Sequence, residues 1–484
     1  MKILVLNPSS IYTTNVVRDV LYGCWCKGKR IGGGTVPPYF LLSVATVLRQ
    51  DGHDVTFIDA MGEQLPVEMV KRRIQGQGYQ LAISGTSTMT MNEDAAFLSA
   101  LKQGEPGLTT IVFGSHTTFM PDHALTKPGV DIIVRREPEF VVRDVVRGME
   151  AGNGEWKKVL GIGYMQDGKA VVNEHYPFID KLDVLPFLDV SFFPSHIDYF
   201  NPIIKRMPYI TTITSRGCPS KCTFCTAPFF YGPRFRVRSG PSVVDEVRSY
   251  VEAGFREVYF RDEIFTVNKK RTQEICEGII ELGLDVTWIC NAKVGLIDKP
   301  TMALMKKAGC HLIKFGVESG VQEVLDRVIK GFKIEQTVET FKWAHEVGID
   351  THAHTMLGMP GDTRATVART IEFIKEIDPT TATFGVCTPY PGTPLFDEVS
   401  AQVDMGDAAD LDLSQLHTTA RYNELYTELT RDEVEKAIRR AYRRFYLRPS
   451  YVLSRAGKIA SLGELKRVTI AGTKIFDFTV RGDQ

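Results

Sequence analysis

Three cysteines fall within eight residues of one another: Cys218, Cys222 and Cys225, in Ser215-Arg-Gly-Cys-Pro-Ser-Lys-Cys-Thr-Phe-Cys-Thr226. Three thiolates on one loop suit three irons of a four-iron cubane and leave the fourth iron without a protein ligand. An open metal position is where a substrate is activated. A structural zinc site would want a fourth Cys or His nearby, and the next twenty residues hold none. Other residues of chemical interest lie elsewhere. Acidic candidates are Asp262, Glu263 and Glu318; Asn291 and Lys293 are polar candidates. His352 and His354 flank Ala353, and strand alternation sends both to one face. A hydroxyl-rich run, Ser84-Gly-Thr-Ser-Thr-Met-Thr90, and the turn Gly114-Ser115-His116 lie nearer the N-terminus. Cys24 and Cys26 precede Gly32-Gly33-Gly34, which lacks the pattern of a nucleotide phosphate loop. Tyr231 and Tyr390, near strand ends, are candidates to meet the substrate, with core packing the plainer reading; Cys276 and Cys310 have the setting of small apolar core residues, and Cys387 a place nearer a barrel rim.

Positioning these groups requires two successive α/β units. Residues 1–150 alternate strand and helix patterns: strands at Ile3–Leu6, Val55–Ile58, Leu81–Ser84, Thr110–Phe113 and Val130–Val134, with helices at Tyr39–Gln50 and Val141–Met149. This rhythm predicts a doubly wound, mostly parallel sheet with ligands at its carboxyl edge. Residues 151–205 read as a linker, with a hairpin signal at Asp167-Gly168. Residues 206–395 alternate six times, with strands ending near Ser215, Phe260, Cys290, Gly316, Met356 and Val386. That predicts an open, partial (β/α)6 barrel whose chemistry sits at its C-terminal face. Residues 396–484 are expected to be mainly helical; Thr430 and Glu433 resemble a capping box opening a helix over Asp432–Phe445.

The cysteine spacing, with an aromatic before the last Cys at the end of a first barrel strand, resembles the radical S-adenosylmethionine superfamily. The resemblance implies a [4Fe–4S] cluster on Cys218, Cys222 and Cys225, with S-adenosylmethionine bound at the unique iron. It implies cofactor contacts from Asp262, Glu263, Asn291 and Glu318. For Glu318, a carboxylate favoured by a helix N-terminus is the plainer alternative.

The N-terminal unit, a Rossmann-like domain, resembles the cobalamin-binding domain of class B radical S-adenosylmethionine enzymes. Ser84, Thr86, Ser87 and Thr88 match its hydroxyl-rich loop, Gly114 and Ser115 its paired glycines, and Arg135-Arg-Glu-Pro-Glu139, with Glu137, its acidic glycine-containing turn. The departures are Ser115 for glycine, a larger change at Arg136-Glu137-Pro138, and no axial-histidine segment, which implies base-off cobalamin.

The resemblance therefore implies a cobalamin-dependent methyltransferase acting on an unactivated sp3 carbon. One S-adenosylmethionine methylates cobalamin and a second gives the 5′-deoxyadenosyl radical. An oxidative cyclase of the magnesium-porphyrin ester type, or a non-catalytic cobalamin or iron–sulfur sensor, are the alternatives. The substrate is a small molecule or a polypeptide side chain; similarity in size to enzymes that methylate methyl-coenzyme M reductase points to the latter. An electron donor such as flavodoxin or ferredoxin is implied.

Composition fits these expectations. Lys+Arg and Asp+Glu both number 58 in 484 residues, which argues against a nucleic-acid partner. No stretch reaches the ~20 apolar residues of a membrane helix, and Met1–Ser10 has no signal-peptide pattern, so a cytoplasmic location is expected.

Overall fold

The structure is a computed structural model, and it describes residues 1–10, 13–14, 21, 28–29, 35–403, 420–457, 459 and 461–481. Cys24, Cys26 and Gly32–Gly34 lie outside the described residues.

The first unit is built on β1 (Lys2–Asn7), β2 (Asp54–Asp59), β3 (Leu81–Thr86), β4 (Thr109–Gly114) and β5 (Ile132–Arg135). These runs are almost continuously apolar because both faces of a parallel sheet are covered. They pair in parallel in the order β2-β1-β3-β4-β5. The hairpin β6 (Ile162–Gln166) and β7 (Lys169–Val172) continues this sheet antiparallel from β5. The hairpin expected in the connecting stretch thus forms as the sheet's edge. Pairing with β5 covers half of the hairpin, which alone would be marginal in water.

The helix Tyr39–Gln50 is buried from Tyr39 to Leu48. A helix that is buried all round lies inside the molecule. One of its neighbours is the helix Pro138–Ala151, and its first turn reaches the second unit, where Tyr39 Oη donates to Ile213 O at 3.4 Å. Each fully buried Leu, Val or Phe there contributes ~1.5–3 kcal/mol.

The second unit is a six-stranded, wholly parallel sheet in chain order: β8 (Tyr209–Thr212), β9 (Glu257–Phe260), β10 (Thr287–Ala292), β11 (Cys310–Glu318), β12 (Asp350–Leu357) and β13 (Thr381–Val386). This is the partial barrel expected. The first strand ends at Thr212 rather than near Ser215, because Thr214 and Ser215 turn to hydrogen-bond Asp262. Helices Gly240–Glu252, Lys269–Glu281, Lys299–Lys307, Ile334–Val347 and Arg364–Glu376 follow successive strands.

The C-terminal part is helical, with helices Arg431–Tyr446, Pro449–Ala456 and Leu462–Arg481. The expected capping box forms: Thr430 N donates to Glu433 Oε2 at 2.9 Å and Glu433 N donates to Thr430 Oγ1 at 3.4 Å. The last helix packs Phe478 against Tyr442 and reaches the start of the barrel, where Arg467 donates to Lys205 O at 2.9 Å. No helix among the described residues is long and apolar enough to cross a membrane.

Candidate active site

The cysteine loop leaves β8 through Thr214-Ser215-Arg216-Gly217. Gly217 has φ +93°, and a Cβ there would lie 2.5 Å from Arg234 O. Only glycine lets the chain turn this tightly against that backbone. Cys222 is buried, and Cys218 and Cys225 are partly exposed. Burial, and behind it the carboxylate of Glu263, push the Cys225 thiol well up; burial also raises Cys218. Lys293 stands near Cys218 and Cys222, and Lys330 near Cys222 and Cys225. The three sulfurs share one electrostatic neighbourhood.

Among the described residues no three Cys, His, Asp or Glu converge on a point fit for one metal ion. A single zinc demands that convergence. A cubane cluster instead takes each thiolate on a separate iron. The donor set, three buried or half-buried thiols flanked by two ammonium groups, therefore fits an iron–sulfur cluster.

The acidic candidates divide. Asp262 is fully buried, and its carboxylate accepts from Thr214 N at 2.5 Å, Thr214 Oγ1 at 2.7 Å and Ser215 Oγ at 2.7 Å. It braces the entry to the cysteine loop, and its oxygens are engaged. Asn291 donates to Asp262 O at 2.8 Å, so it braces the same turn. Glu263 is half-buried and faces the cysteines. Glu318 sits at the end of β11 with φ +64° and accepts from Lys330 Nζ at 2.6 Å. Gly316 leaves room for this pair: a Cβ there would lie 2.9 Å from Lys330 Nζ. Lys330 was not singled out in the sequence. Its signal is only positional, twelve residues beyond Glu318. Lys293 donates to Ser220 Oγ in the cysteine loop at 2.6 Å.

A cleft lies where the two units meet. Asn7 from the end of β1, Gly85, Thr86, Ser87 and Thr90 from the end of β3, Pro38–Leu41, and Arg261 from the end of β9 line it. Both sheets therefore present carboxyl edges to one space, the place where ligands bind such sheets. Thr86 also donates to Asp94 at 2.7 Å, which fixes its rotamer. Ser84 is turned inward against Gly85 O, and Thr88 lies 3.4 Å from His116 Nδ1. Gly114, at φ 142°, accepts from Thr117 and Thr118 with its carbonyl. Ser115 Oγ is buried without a partner among the described residues. An orphaned hydroxyl beside a hydroxyl-rich loop fits a bound polar ligand such as cobalamin.

Glu137 does not face that cavity. Its carboxylate is taken by Arg236 at 2.7 and 3.0 Å and by Ile179 N at 3.0 Å. Burial opposes its charge, but Arg216 and Arg236 outweigh it and hold the group below the usual carboxylate range. Here the structure departs from the cofactor contact expected: Glu137 joins the two units. His352 and His354 do share a face, with ring centroids 4.5 Å apart, and both meet Thr383. Cys276, Cys310 and Cys387 are fully buried, and Cys387 directly follows β13. Tyr231 is core, and Tyr390 is half-buried.

Residues 212–374 match the radical SAM superfamily profile and residues 32–146 the B12 binding domain. An uncharacterised methyltransferase of Pyrococcus horikoshii is 30% identical over 430 residues, 88% of this chain and 91% of that protein. The anaerobic magnesium-protoporphyrin IX monomethyl ester cyclase of Rubrivivax gelatinosus is 30% identical over 77% of this chain and 68% of its own. Among solved structures, the radical S-adenosylmethionine methyltransferase TsrM of Kitasatospora setae aligns at TM-score 0.66 and 17% identity, over 83% of this chain and 76% of that one. The cobalamin-dependent radical enzyme OxsB aligns at TM-score 0.69 and 15% identity, over 100% and 73%. At these identities the solved structures speak for the fold alone. The paired domains, together with a relative alike along nearly its whole length, place this chain in the cobalamin-dependent (class B) radical S-adenosylmethionine enzyme family, methyltransferase type, which works with a [4Fe–4S] cluster, S-adenosylmethionine and cobalamin.

Proposed function

We propose that this chain transfers a methyl group to an unactivated sp3 carbon, consuming one S-adenosylmethionine as methyl source and a second for hydrogen abstraction. The observation that carries the reading is the shared cavity: the carboxyl ends of β1, β3 and β9 open onto one space. When bound, the cofactors supply one-electron reduction, a hydrogen-abstracting radical and a transferable methyl group. The protein's part is to hold and align them. Cys218, Cys222 and Cys225 would hold the cluster, with Lys293 and Lys330 offsetting thiolate charge. Glu263 and the Glu318–Lys330 pair would meet the polar groups of S-adenosylmethionine. Thr86, Ser87, Thr90 and Ser115 would hold cobalamin through hydroxyls. The tight packing of the two units around the cavity would keep bulk water from a reactive intermediate.

A second reading, oxidative cyclisation, is favoured by the 30% identity to the Rubrivivax cyclase. Products separate the two. After anaerobic reconstitution, the protein is incubated with reductant, S-adenosylmethionine and, in separate samples, a candidate peptide or a magnesium-porphyrin ester, and S-adenosylhomocysteine and 5′-deoxyadenosine are measured. Methyl transfer by two equivalents yields both in about equal amounts; cyclisation yields 5′-deoxyadenosine without stoichiometric S-adenosylhomocysteine. Neither product would point to a sensor. Iron and cobalt are measured on the same sample, and about four irons with one cobalt are expected. For the substrate we favour a polypeptide side chain over a small molecule; a mass gain of one methylene on a candidate peptide is the readout. The reductant in the cell would be a flavodoxin or ferredoxin.

A further inference from the structure

A second, small cleft lies at the end of β5 between the turn Arg135–Glu137 and the segment from Tyr176 to Ile179, with Phe140 as its third wall. Two adjacent arginines enter it, and neither makes an ion pair with a carboxylate among the described residues. Arg135 donates only to Asn173 O at 3.3 Å and toward His175 Nε2 at 3.1 Å. Arg136 makes no side-chain hydrogen bond among the described residues; its guanidinium rests 4.6 Å from the Phe178 ring centroid. The Nε atoms of both are buried and unpartnered.

Glu137, whose charge acts on Arg136, is consumed by Arg236 and Ile179 N, and Asp122 acts on Arg135 without an ion pair to it. Partial burial, then Arg135 and Arg136, push His175 down to about 4, so it is neutral and gives these cations no opposite charge. Arg136 also has φ +65°, a conformation in which glycine is favoured and a long side chain is strained. A half-buried guanidinium without an acceptor, as at Arg136, is costly. A strained residue that keeps such a group aimed into a cavity is a pointer to a ligand.

We infer that the Arg135–Arg136 cleft is an anion site for a phosphate group, whose ester substituent would lie against Phe140, Tyr176 and Phe178. Guanidiniums bind phosphate oxygens through paired N–H donors. The site stands on its own residues and does not depend on the methyl-transfer reading.

The test uses the full chain and Arg136→Gly, which removes the guanidinium at a backbone position glycine prefers. Binding of inorganic phosphate is measured by calorimetry and by thermal shift at constant ionic strength. Hydroxocobalamin and cobinamide, the latter lacking the nucleotide tail and its phosphodiester, are titrated by absorbance. Phosphate should stabilise the wild type, with the substitution weakening it about tenfold or more. If hydroxocobalamin weakens likewise while cobinamide does not, the anion is the cobalamin tail, and this holds even without a response to free phosphate. If both corrinoids are unaffected, the anion is free phosphate or a phosphorylated small molecule. The inference is overturned by a phosphate response equal in the two proteins. It is also overturned by equal loss of both corrinoids, or by no effect of phosphate together with unchanged corrinoid binding.

Discussion

Arg216 Nη2 lies 2.5 Å from Glu139 Oε1, and neither side chain is exposed at all. Arg216 precedes Cys218 by two residues, while Glu139 lies in the first turn of a helix of the cobalamin-binding unit. A second contact, Arg216 Nη1 to Glu139 Oε2 at 3.2 Å, makes the pair bidentate. Ser43 donates to the same carboxylate at 3.1 Å, and Glu137 stands 3.5 Å from the guanidinium. Burial works against the charge on Arg216, but Glu139 and Glu137 outweigh it and hold the guanidinium firmly protonated. The loop that would carry the cluster is thus fixed to the unit that would carry cobalamin by a charged joint with no access to water.

Glu139→Ala leaves Arg216 charged in that dry joint. Removing one partner of a buried pair costs ~3–5 kcal/mol. A clear fall in melting temperature is expected, with faster iron loss from the reconstituted protein. Scanning calorimetry and an iron-chelator assay measure the two. Unchanged values in both would show that the joint holds neither the fold nor the loop.

Acid should loosen the cobalamin-binding unit first. His116 is fully buried, 2.7 Å from His123, and burial followed by the His123 charge holds it well below its ordinary value. The unfolded chain therefore binds a proton that the folded chain refuses. Stability is present above the ordinary histidine value near 6.5 and is lost as pH falls below it, by up to about 1.4 kcal/mol per pH unit. Melting temperature between about pH 7.5 and 5 should fall, and His116→Gln should flatten that slope. A slope equal in both proteins would count against His116 as its source.

Local order was legible in the sequence and distant pairing was not. The strands of both sheets announce themselves as apolar runs because parallel strands are covered on both faces. The cysteine spacing is local and so was readable. Glu137, by contrast, looked like a cofactor contact, and its true partner Arg236 lies 99 residues away. No one-dimensional pattern reveals that pairing. Lys330 was missed for the same reason, since the helix Gln322–Arg327 and the turn after it return it to Glu318. The hairpin Ile162–Val172 was seen, but its seat on β5 follows from the open sheet edge rather than from its own residues. The helix Leu462–Arg481 lies in the stretch expected to be mainly helical, but its bounds are not legible in the sequence; large apolar residues such as Phe476 and Val480 are exposed on it, which blurs the helical stripe.

Gly217→Ala should impair iron retention more than its backbone penalty explains. Gly52 offers the control, because it has nearly the same φ, +90°, with nothing within 4 Å of an added Cβ. Both substitutions incur the left-handed penalty of ~1–2 kcal/mol. Only Gly217→Ala also drives a methyl to 2.5 Å from Arg234 O. The expected result is near-normal iron for Gly52→Ala and a several-fold loss for Gly217→Ala, read by iron content after reconstitution. Equal retention would mean that the loop relaxes around the methyl.

The neighbours Asp262 and Glu263 should separate under the same amide substitution. Asp262 accepts three hydrogen bonds from Thr214 and Ser215, and none of its carboxylate surface is exposed. Asp262→Asn puts an amide where a carboxylate accepted, so at least one donor in that turn loses its acceptor, at ~1–3 kcal/mol. The turn leads directly into Gly217 and Cys218, so iron retention and melting temperature should fall together. Glu263 is half-buried and raises the Cys225 thiol next after burial itself. Glu263→Gln removes a negative charge from beside the cysteines, so the fold and the iron content should hold. If Glu263 meets the methionine amino group, affinity for S-adenosylmethionine should drop about tenfold, the loss of one charge-assisted hydrogen bond. Equilibrium binding of S-adenosylmethionine to iron-replete samples of both variants decides the matter. A Glu263→Gln protein that binds normally would remove Glu263 from the cofactor site. An Asp262→Asn protein that keeps its iron and melting temperature but binds weakly would return the contact to Asp262.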